Sequence, residues 1–256
     1  MTPYVADPVY LNGRFLPLAE AGVSPLDRGF LYGDGVYELI PVYSRRPFRV
    51  AEHLTRLQAT LDGIRLANPL SAAGWQAVVE QLIAAAPWED QSIYLQVTRR
   101  ADDKRDHAFP PASVAPTAFA FSSPLVTTPD AVRATGVAAI TVPDDRWAHC
   151  NLKAISLLAN ILARQTAVDA GCAEALLIRD GYLKEGAASN IFVVKDGVLL
   201  APPKTQFMLP GIPYDVVLEL AAAHGQPLEI REIHETELRA ADEVWMTSST
   251  KEVLAI

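Results

Sequence analysis

Cysteine is scarce: the chain has two, Cys150 and Cys172, in 256 residues. Two thiols cannot build a disulfide framework and show no metal-ligand spacing, so a reducing compartment is expected. No apolar run approaches the roughly 18 residues that a membrane span requires. The opening residues Met1 to Asp7 contain neither a basic nor an apolar region, so no secretory signal and a cytoplasmic location are expected. Positive charge is in deficit as well, with 22 Lys and Arg against 30 Asp and Glu and a net charge of -8. That balance argues against a nucleic-acid binder, which needs a basic face for phosphates. There is no Gly-x-Ser-x-Gly elbow, no Walker loop and no dinucleotide fingerprint; Gly33-Asp34-Gly35 lacks the βαβ setting. Internal repeats and low-complexity tracts are absent too.

What is present is globular composition, half hydrophobic and a fifth charged. At about 150 residues per domain, the length allows one large or two small domains. Residues 8–18 read as a hairpin turning at Asn12-Gly13. Val36 to Tyr43 reads as a strand, with Pro41 confined to an edge or bulge. Leu54, Leu57, Leu61 and Ile64 recur at helical spacing, and Ala73 to Ala86 is a second amphipathic stretch. Strands are expected at 93–98 and 117–121, then a polar, proline-containing passage from Ser122 to Pro129 that marks a domain boundary. Beyond it come a strand at 137–142, a helix from Ile155 to Ala170 capped by Gly171, and strands at 174–179, 190–194 and 198–201. A helix from Pro213 to His224 and a strand from Glu243 to Ser248 follow. The expected class is α+β in two lobes: a small domain at 1–122, a linker at 123–129 and a larger domain at 130–256.

Taken singly, the candidate functional residues are ambiguous. Lys153, at the start of the expected long helix, reads as a solvated lysine. A cation there opposes the helix dipole, and burial would favour the neutral amine of a nucleophile. Glu185 reads as an exposed turn residue, although small neighbours and Ser189 and Asn190 leave room and hydrogen bonds for a ligand. Leu209-Pro210-Gly211-Ile212-Pro213 opens a helix and so offers amides to an anion. Thr247-Ser248-Ser249-Thr250 is either a hydroxyl cluster for phosphate or a polar loop. Arg105 and His107 lie in a mixed-charge run and can clamp a carboxylate. A metal reading of Asp102, Asp103, Asp106 and His107 is poor, since no second cluster completes a shell, and no metal is expected.

In combination they carry a resemblance. Asp27-Arg28-Gly29-Phe30-Leu31-Tyr32-Gly33-Asp34-Gly35-Val36-Tyr37-Glu38, with Glu52-His53-Leu54-Thr55-Arg56-Leu57, closely resembles the fold-type IV pyridoxal-phosphate enzymes. The likeness continues through Cys150 to Lys153, Glu185 to Asn190, Leu209 to Ile212 and Thr247 to Thr250, in the family's order and over nearly the whole chain. It implies a two-lobed fold with pyridoxal 5'-phosphate at the lobe interface. Lys153 then holds the cofactor as a Schiff base and acts as catalytic base, and Arg56 binds the phosphate. The Ile212 amide and the Ser248 and Ser249 hydroxyls complete the phosphate site, Leu209 packs on the ring, and Glu185 pairs with the pyridine nitrogen. Ser189 and Asn190 are further cofactor-binding candidates.

Within the family the chain is most similar to the D-amino-acid aminotransferases, through Arg105-Asp106-His107-Ala108-Phe109-Pro110, with Trp147 and Cys150 also fitting. The resemblance implies that Arg105 and His107 trap the substrate carboxylate with Tyr37, from a loop supplied by the neighbouring subunit of a homodimer. Branched-chain aminotransferase and aminodeoxychorismate lyase are the alternative activities, and a non-catalytic cofactor-binding protein the alternative class. Two departures stand out. Pro213 replaces the usual threonine, which removes a hydroxyl and an N–H from the phosphate cup. Relatives usually continue beyond the Lys251–Ile256 stretch through another strand pair and a helix, so either the larger domain is shortened or this sequence lacks a disordered or removed tail.

Overall fold

The computed structural model describes residues 4–100 and 104–256; Asp102 and Asp103 of the weak metal reading lie outside the described residues. The chain divides into two compact units, Met1–Val126 with Leu152–Ser156, and Thr127–Asn151 with Leu157–Ile256.

The first unit starts with the expected hairpin, β1 (Val9–Leu11) and β2 (Arg14–Leu16), turning at Asn12-Gly13. A short helix α1 (Arg28–Tyr32) is capped by Asp27, whose carboxylate accepts the Gly29 N–H at 2.8 Å. Then come β3 (Gly35–Tyr43), β4 (Arg46–Pro47), α2 (Val50–Gly63), α3 (Ala72–Ala85), β5 (Gln91–Thr98) and β6 (Thr117–Pro124). Their antiparallel sheet runs β2-β1-β6-β5-β3-β4. The period-two pattern sends Val36, Ile40, Ile93 and Leu95 to one face, where Leu57 and Leu61 of α2 and Trp75 and Leu82 of α3 cover them. Pro41 is tolerated because β4 pairs only with Val42 and Tyr43, which leaves the outer side of β3 without a partner strand at Pro41. Ser122 and Ser123 do not begin a linker. Both are buried in β6, where Ser122 Oγ donates to Gln91 Oε1 at 2.7 Å and Ser123 Oγ bonds Ser92 Oγ at 2.8 Å.

The second unit contains α4 (Asp130–Thr135), β7 (Ala139–Pro143), α5 (Leu158–Asp169), β8 (Glu174–Arg179), β9 (Tyr182–Gly186), β10 (Asn190–Lys195) and β11 (Val198–Ala201). It continues with α6 (Ile212–Ala223), β12 (Leu228–Ile230), α7 (Glu235–Arg239), β13 (Glu243–Ser248) and β14 (Glu252–Ala255). One sheet runs β7-β8-β9 and the other β12-β11-β10-β13-β14. Along β10, Phe192 faces α6, stacking on Tyr214 at 5.0 Å, while Ile191 and Val193 face a core with Leu183, Met246 and Leu254. Strands outnumber helices, as expected of an α+β chain.

Two expectations need correction. The long helix starts at Leu158, not Ile155, because residues 153–156 are held extended: Ile155 N donates to Gly35 O at 3.0 Å and Ser156 Oγ to Gly33 O at 2.8 Å. Glu185 lies in a strand, β9, formed when Asp180 and Gly181 turn the chain at φ 54° and 83°.

Candidate active site

In the first unit the extended residues 153–155 add to the start of β3. Tyr37 N donates to Lys153 O at 3.0 Å, and Val36 and Ala154 form an antiparallel bridge. The approach needs Gly33 and Gly35. A Cβ on Gly35 would lie 3.0 Å from Ile155 Cδ1, besides 2.7 Å from Val97 O of β5, and one on Gly33 2.9 Å from Ser156 Oγ at a φ of 67°. Lys153 and Tyr37 therefore share a face, with Nζ 4.1 Å from the Tyr37 ring centroid. Lys153 lies outside the helix, so the helix dipole expected to act on it has no part here.

On the opposite face of β3, Glu38 is fully buried with two residues of α2. Arg56 Nε and Nη2 donate to its two oxygens at 2.7 and 2.8 Å, and His53 Nδ1 lies 2.8 Å from Oε2. Burial alone would push the Glu38 carboxyl up, but the Arg56 guanidinium overrides it and holds it at about 2. An ionised carboxylate only accepts, so His53 Nδ1 carries the hydrogen, and burial keeps the imidazole below its ordinary value.

Arg105 and His107 lie against Tyr32. The Arg105 guanidinium is 5.0 Å from that ring's centroid and the His107 ring 5.3 Å. Among the described residues, the ring contacts of Arg105 and His107 are to Tyr32 and not to Tyr37.

The second unit brings together Glu185, Asn190 and Leu209. Glu185 is buried on β9, with Arg146 Nη1 donating to Oε1 at 2.5 Å. Its Oε2 accepts the Leu209 N–H at 3.1 Å and Asn190 Nδ2 at 3.4 Å. Arg146 is itself held by Asp144, through Nε at 2.8 Å and Nη2 at 3.1 Å, and Arg179 Nε reaches Asp144 at 3.2 Å. Burial pushes the Glu185 carboxyl up to about 7 against the pull of Arg146. Burial opposes Asp144 in the same way, but its two arginines hold it below the usual carboxylate range. The Cys150 thiol, bonded to Trp147 O at 3.1 Å, is pushed up by burial.

Asn190 also donates to Leu209 O at 2.9 Å, and its Oδ1 lies 1.9 Å from where a Cβ on Gly211 would sit. Only glycine fits before α6, whose N-terminus has no side-chain cap and begins with Ile212 and Pro213. Opposite Asn190 in the sheet stands Thr247, whose Oγ1 is buried with no partner among the described residues. Ser248 Oγ accepts the Lys251 N–H at 3.2 Å, and Ser249 is half-buried. Ser189 Oγ is committed to Glu174 Oε2 at 2.8 Å. Among the described residues no group of His, Cys, Asp or Glu is arranged to hold a metal.

The sequence reading did not single out Glu38, His53, Asp144, Arg146 or Arg179. Glu38 had a signal, since it alternates with Val36 and Ile40 on a core face. Arg146 follows the last residue of β7 in an irregular segment and had none.

The family model for class IV aminotransferases matches residues 35–256. A D-alanine aminotransferase of Bacillus licheniformis is 37% identical over 97% of this chain and 87% of its own length. A branched-chain aminotransferase from T.th., complexed with N-(5'-phosphopyridoxyl)-L-glutamate, superposes with a TM-score of 0.88 at 27% identity over 98% of this chain and 85% of that one. A fold IV transaminase from Curtobacterium pusillum superposes with a TM-score of 0.83 at 24% identity, over 95% and 85% of the two chains.

Proposed function

This chain belongs to the class IV aminotransferases, and we propose that it moves an amino group between a D-amino acid, such as D-alanine or D-glutamate, and a 2-oxo acid. The observation that carries this reading is the breadth of sequence likeness. A relative sharing 37% of positions across 97% of the chain is a D-alanine aminotransferase, whereas the branched-chain enzyme is similar in fold at 27% identity.

Pyridoxal 5'-phosphate is the family's cofactor, and the residues present suit it. Glu185 is a buried carboxylate whose charge is opposed by burial, so a protonated ring nitrogen would favour its ionised form. Thr247 Oγ1 is a buried hydroxyl without a partner among the described residues, and the uncapped start of α6 presents its amides to an anion. When bound, the cofactor supplies an electron sink for the charge left on the substrate carbon. Lys153 would hold the cofactor through Nζ and, once displaced by the incoming amine, would take up the Cα proton as a free amine, from a position set by the backbone pairing of residues 153–155 with β3. The likeness to the family would assign the phosphate to Arg56, the Ile212 amide and the Ser248 and Ser249 hydroxyls, and the ring face to Leu209. Ser189 braces the site through Glu174, and Asn190 through Leu209 and Glu185.

Arg105 and His107, with Tyr37, bind the substrate carboxylate. The loop bearing them serves the neighbouring subunit of a homodimer.

The test is a panel of D- and L-amino donors with 2-oxoglutarate or pyruvate as acceptor. Turnover of D-alanine with 2-oxoglutarate, abolished in Lys153→Ala, is the expected result. Exclusive turnover of L-branched-chain donors overturns the substrate assignment, and a cofactor-loaded protein inert to every donor overturns the enzymatic one.

A further inference from the structure

One buried cation cluster in the first unit is unused by the reaction just described. Arg28 is only 7% exposed. Its Nε donates to Asp34 Oδ2 at 2.7 Å. Its two terminal nitrogens then gather three successive backbone carbonyls of the substrate loop: Asp106 O, His107 O at 3.3 Å and Ala108 O at 3.1 Å. A planar guanidinium with fixed N–H directions is suited to this, and a lysine ammonium is not.

Asp34 also accepts from Arg99 Nε at 3.0 Å. Arg99 in turn donates to Ile64 O and Arg65 O, at 2.6 and 3.1 Å, and stacks on Phe109, 3.7 Å from the ring centroid. The loop is thus tied to the end of α2 through Asp34 and Arg99. The side chains of the loop are ordered from the same helix as its backbone, α1. Arg105 and His107 both rest on the ring of Tyr32, which also carries Arg28 at 4.9 Å. The Tyr32 hydroxyl is buried with no partner among the described residues, so its described contacts to the loop are made by the ring.

We propose that α1 is the positioning element of the carboxylate-binding loop, with Arg28 fixing the backbone of Asp106 to Ala108 and Tyr32 fixing the directions of Arg105 and His107. This rests on the assignment of Arg105 and His107 to the substrate carboxylate. Neither Arg28 nor Tyr32 is assigned to substrate or cofactor; each would act through the loop. Misplacement of a binding group by a fraction of an ångström weakens substrate capture while leaving proton transfer at Lys153 intact.

The experiment compares Arg28→Lys, Tyr32→Leu and Tyr32→Phe with wild type and with Arg105→Ala, all as cofactor-loaded enzymes. For Arg28→Lys and Tyr32→Leu, the KM for D-alanine should rise about tenfold or more, with kcat within about threefold and unchanged cofactor occupancy and absorbance. Tyr32→Phe should match wild type. Trypsin cleavage after Lys104 or Arg105 should be faster in Arg28→Lys. Unchanged KM and cleavage in Arg28→Lys overturn the proposal. So does a parallel loss of kcat and cofactor occupancy, which marks a merely structural role, or a Tyr32→Phe variant as impaired as Tyr32→Leu. If Arg105→Ala itself leaves KM unchanged, the carboxylate assignment fails, and the cleavage rates then decide by themselves whether Arg28 holds the loop.

Discussion

Glu38 and Glu185 are both buried carboxylates beside an arginine, yet they titrate in opposite directions. The cause is how each guanidinium is divided. Arg56 gives Glu38 two hydrogen bonds, and His53 adds a third contact. Arg146 turns two nitrogens to Asp144 and spares only Nη1 for Glu185. A folded-state value raised from 4.5 to about 7 means that the native fold holds this proton more tightly than the unfolded chain. The associated stability is complete below pH 4.5 and is lost as pH rises through about 7, a change of a few kcal/mol at most, on the order of 1.4 kcal/mol for each pH unit between the two values. Cofactor-free wild type should therefore lose stability relative to Glu185→Gln over that interval, as measured by chemical denaturation at successive pH values. A gap between the two proteins that does not change with pH contradicts this. The site was unevenly legible at this scale. Lys153 and Glu185 became candidates through their motifs, and Glu38 was visible as a charge on a strand's core face. Arg146 was not, because Asp144-Asp145-Arg146 is irregular backbone without periodicity, and only the fold brings it to Glu185.

Elements with strong periodicity or distinctive turns were legible nearly to the residue: the Asn12-Gly13 hairpin, α3, β8 and β13; the spacing of Leu54, Leu57 and Leu61 marked α2 but not its ends. Those decided by tertiary hydrogen bonds were not. Nothing local marks Ile155 and Ser156 as non-helical; their bonds to Gly35 and Gly33 do. Ser122 and Ser123 look like linker residues because their hydroxyl partners, Gln91 and Ser92, lie on another strand. The Asp180-Gly181 turn, by contrast, is a local signal for the β8-β9 hairpin. The start of α6 carries its own prediction. Pro213 fits the first helical turn, where its missing N–H interrupts no intrahelical bond, so the helix forms normally. A phosphate seated there nevertheless has one N–H and one hydroxyl fewer than threonine would supply. Pro213→Thr should slow cofactor dissociation about tenfold or more, since one hydrogen bond to a charged group is worth about 1.5 kcal/mol net. The rate is followed by loss of bound-cofactor absorbance in the presence of an apo-enzyme scavenger, and an unchanged rate would show that this amide position does not face the phosphate.

At the scale of the whole molecule, one helix leaves apolar surface uncovered. Along α5, Leu158, Ile161 and Leu162 are 69%, 59% and 60% exposed and Val168 48%, at spacings that put them along one side of the helix. Exposed apolar surface of this kind suits a partner, and in the proposed homodimer that partner would be a second copy of the chain. If the Arg105 and His107 loop serves the neighbouring subunit, two inactive proteins should repair each other. Lys153→Ala lacks the nucleophile but keeps its loop, while the Arg105→Ala/His107→Ala double variant keeps Lys153 and lacks the loop. A mixed dimer then contains one site with an intact lysine and an intact loop, and one site with neither. Random exchange of equal amounts makes half the dimers mixed, with one of two sites restored, so activity should return to about a quarter of wild type. A loop acting on its own chain gives no recovery, because every site then lacks one or other component. Differently tagged subunits confirm that exchange has occurred, so mixed dimers without activity place the carboxylate-binding pair in the same chain as its lysine.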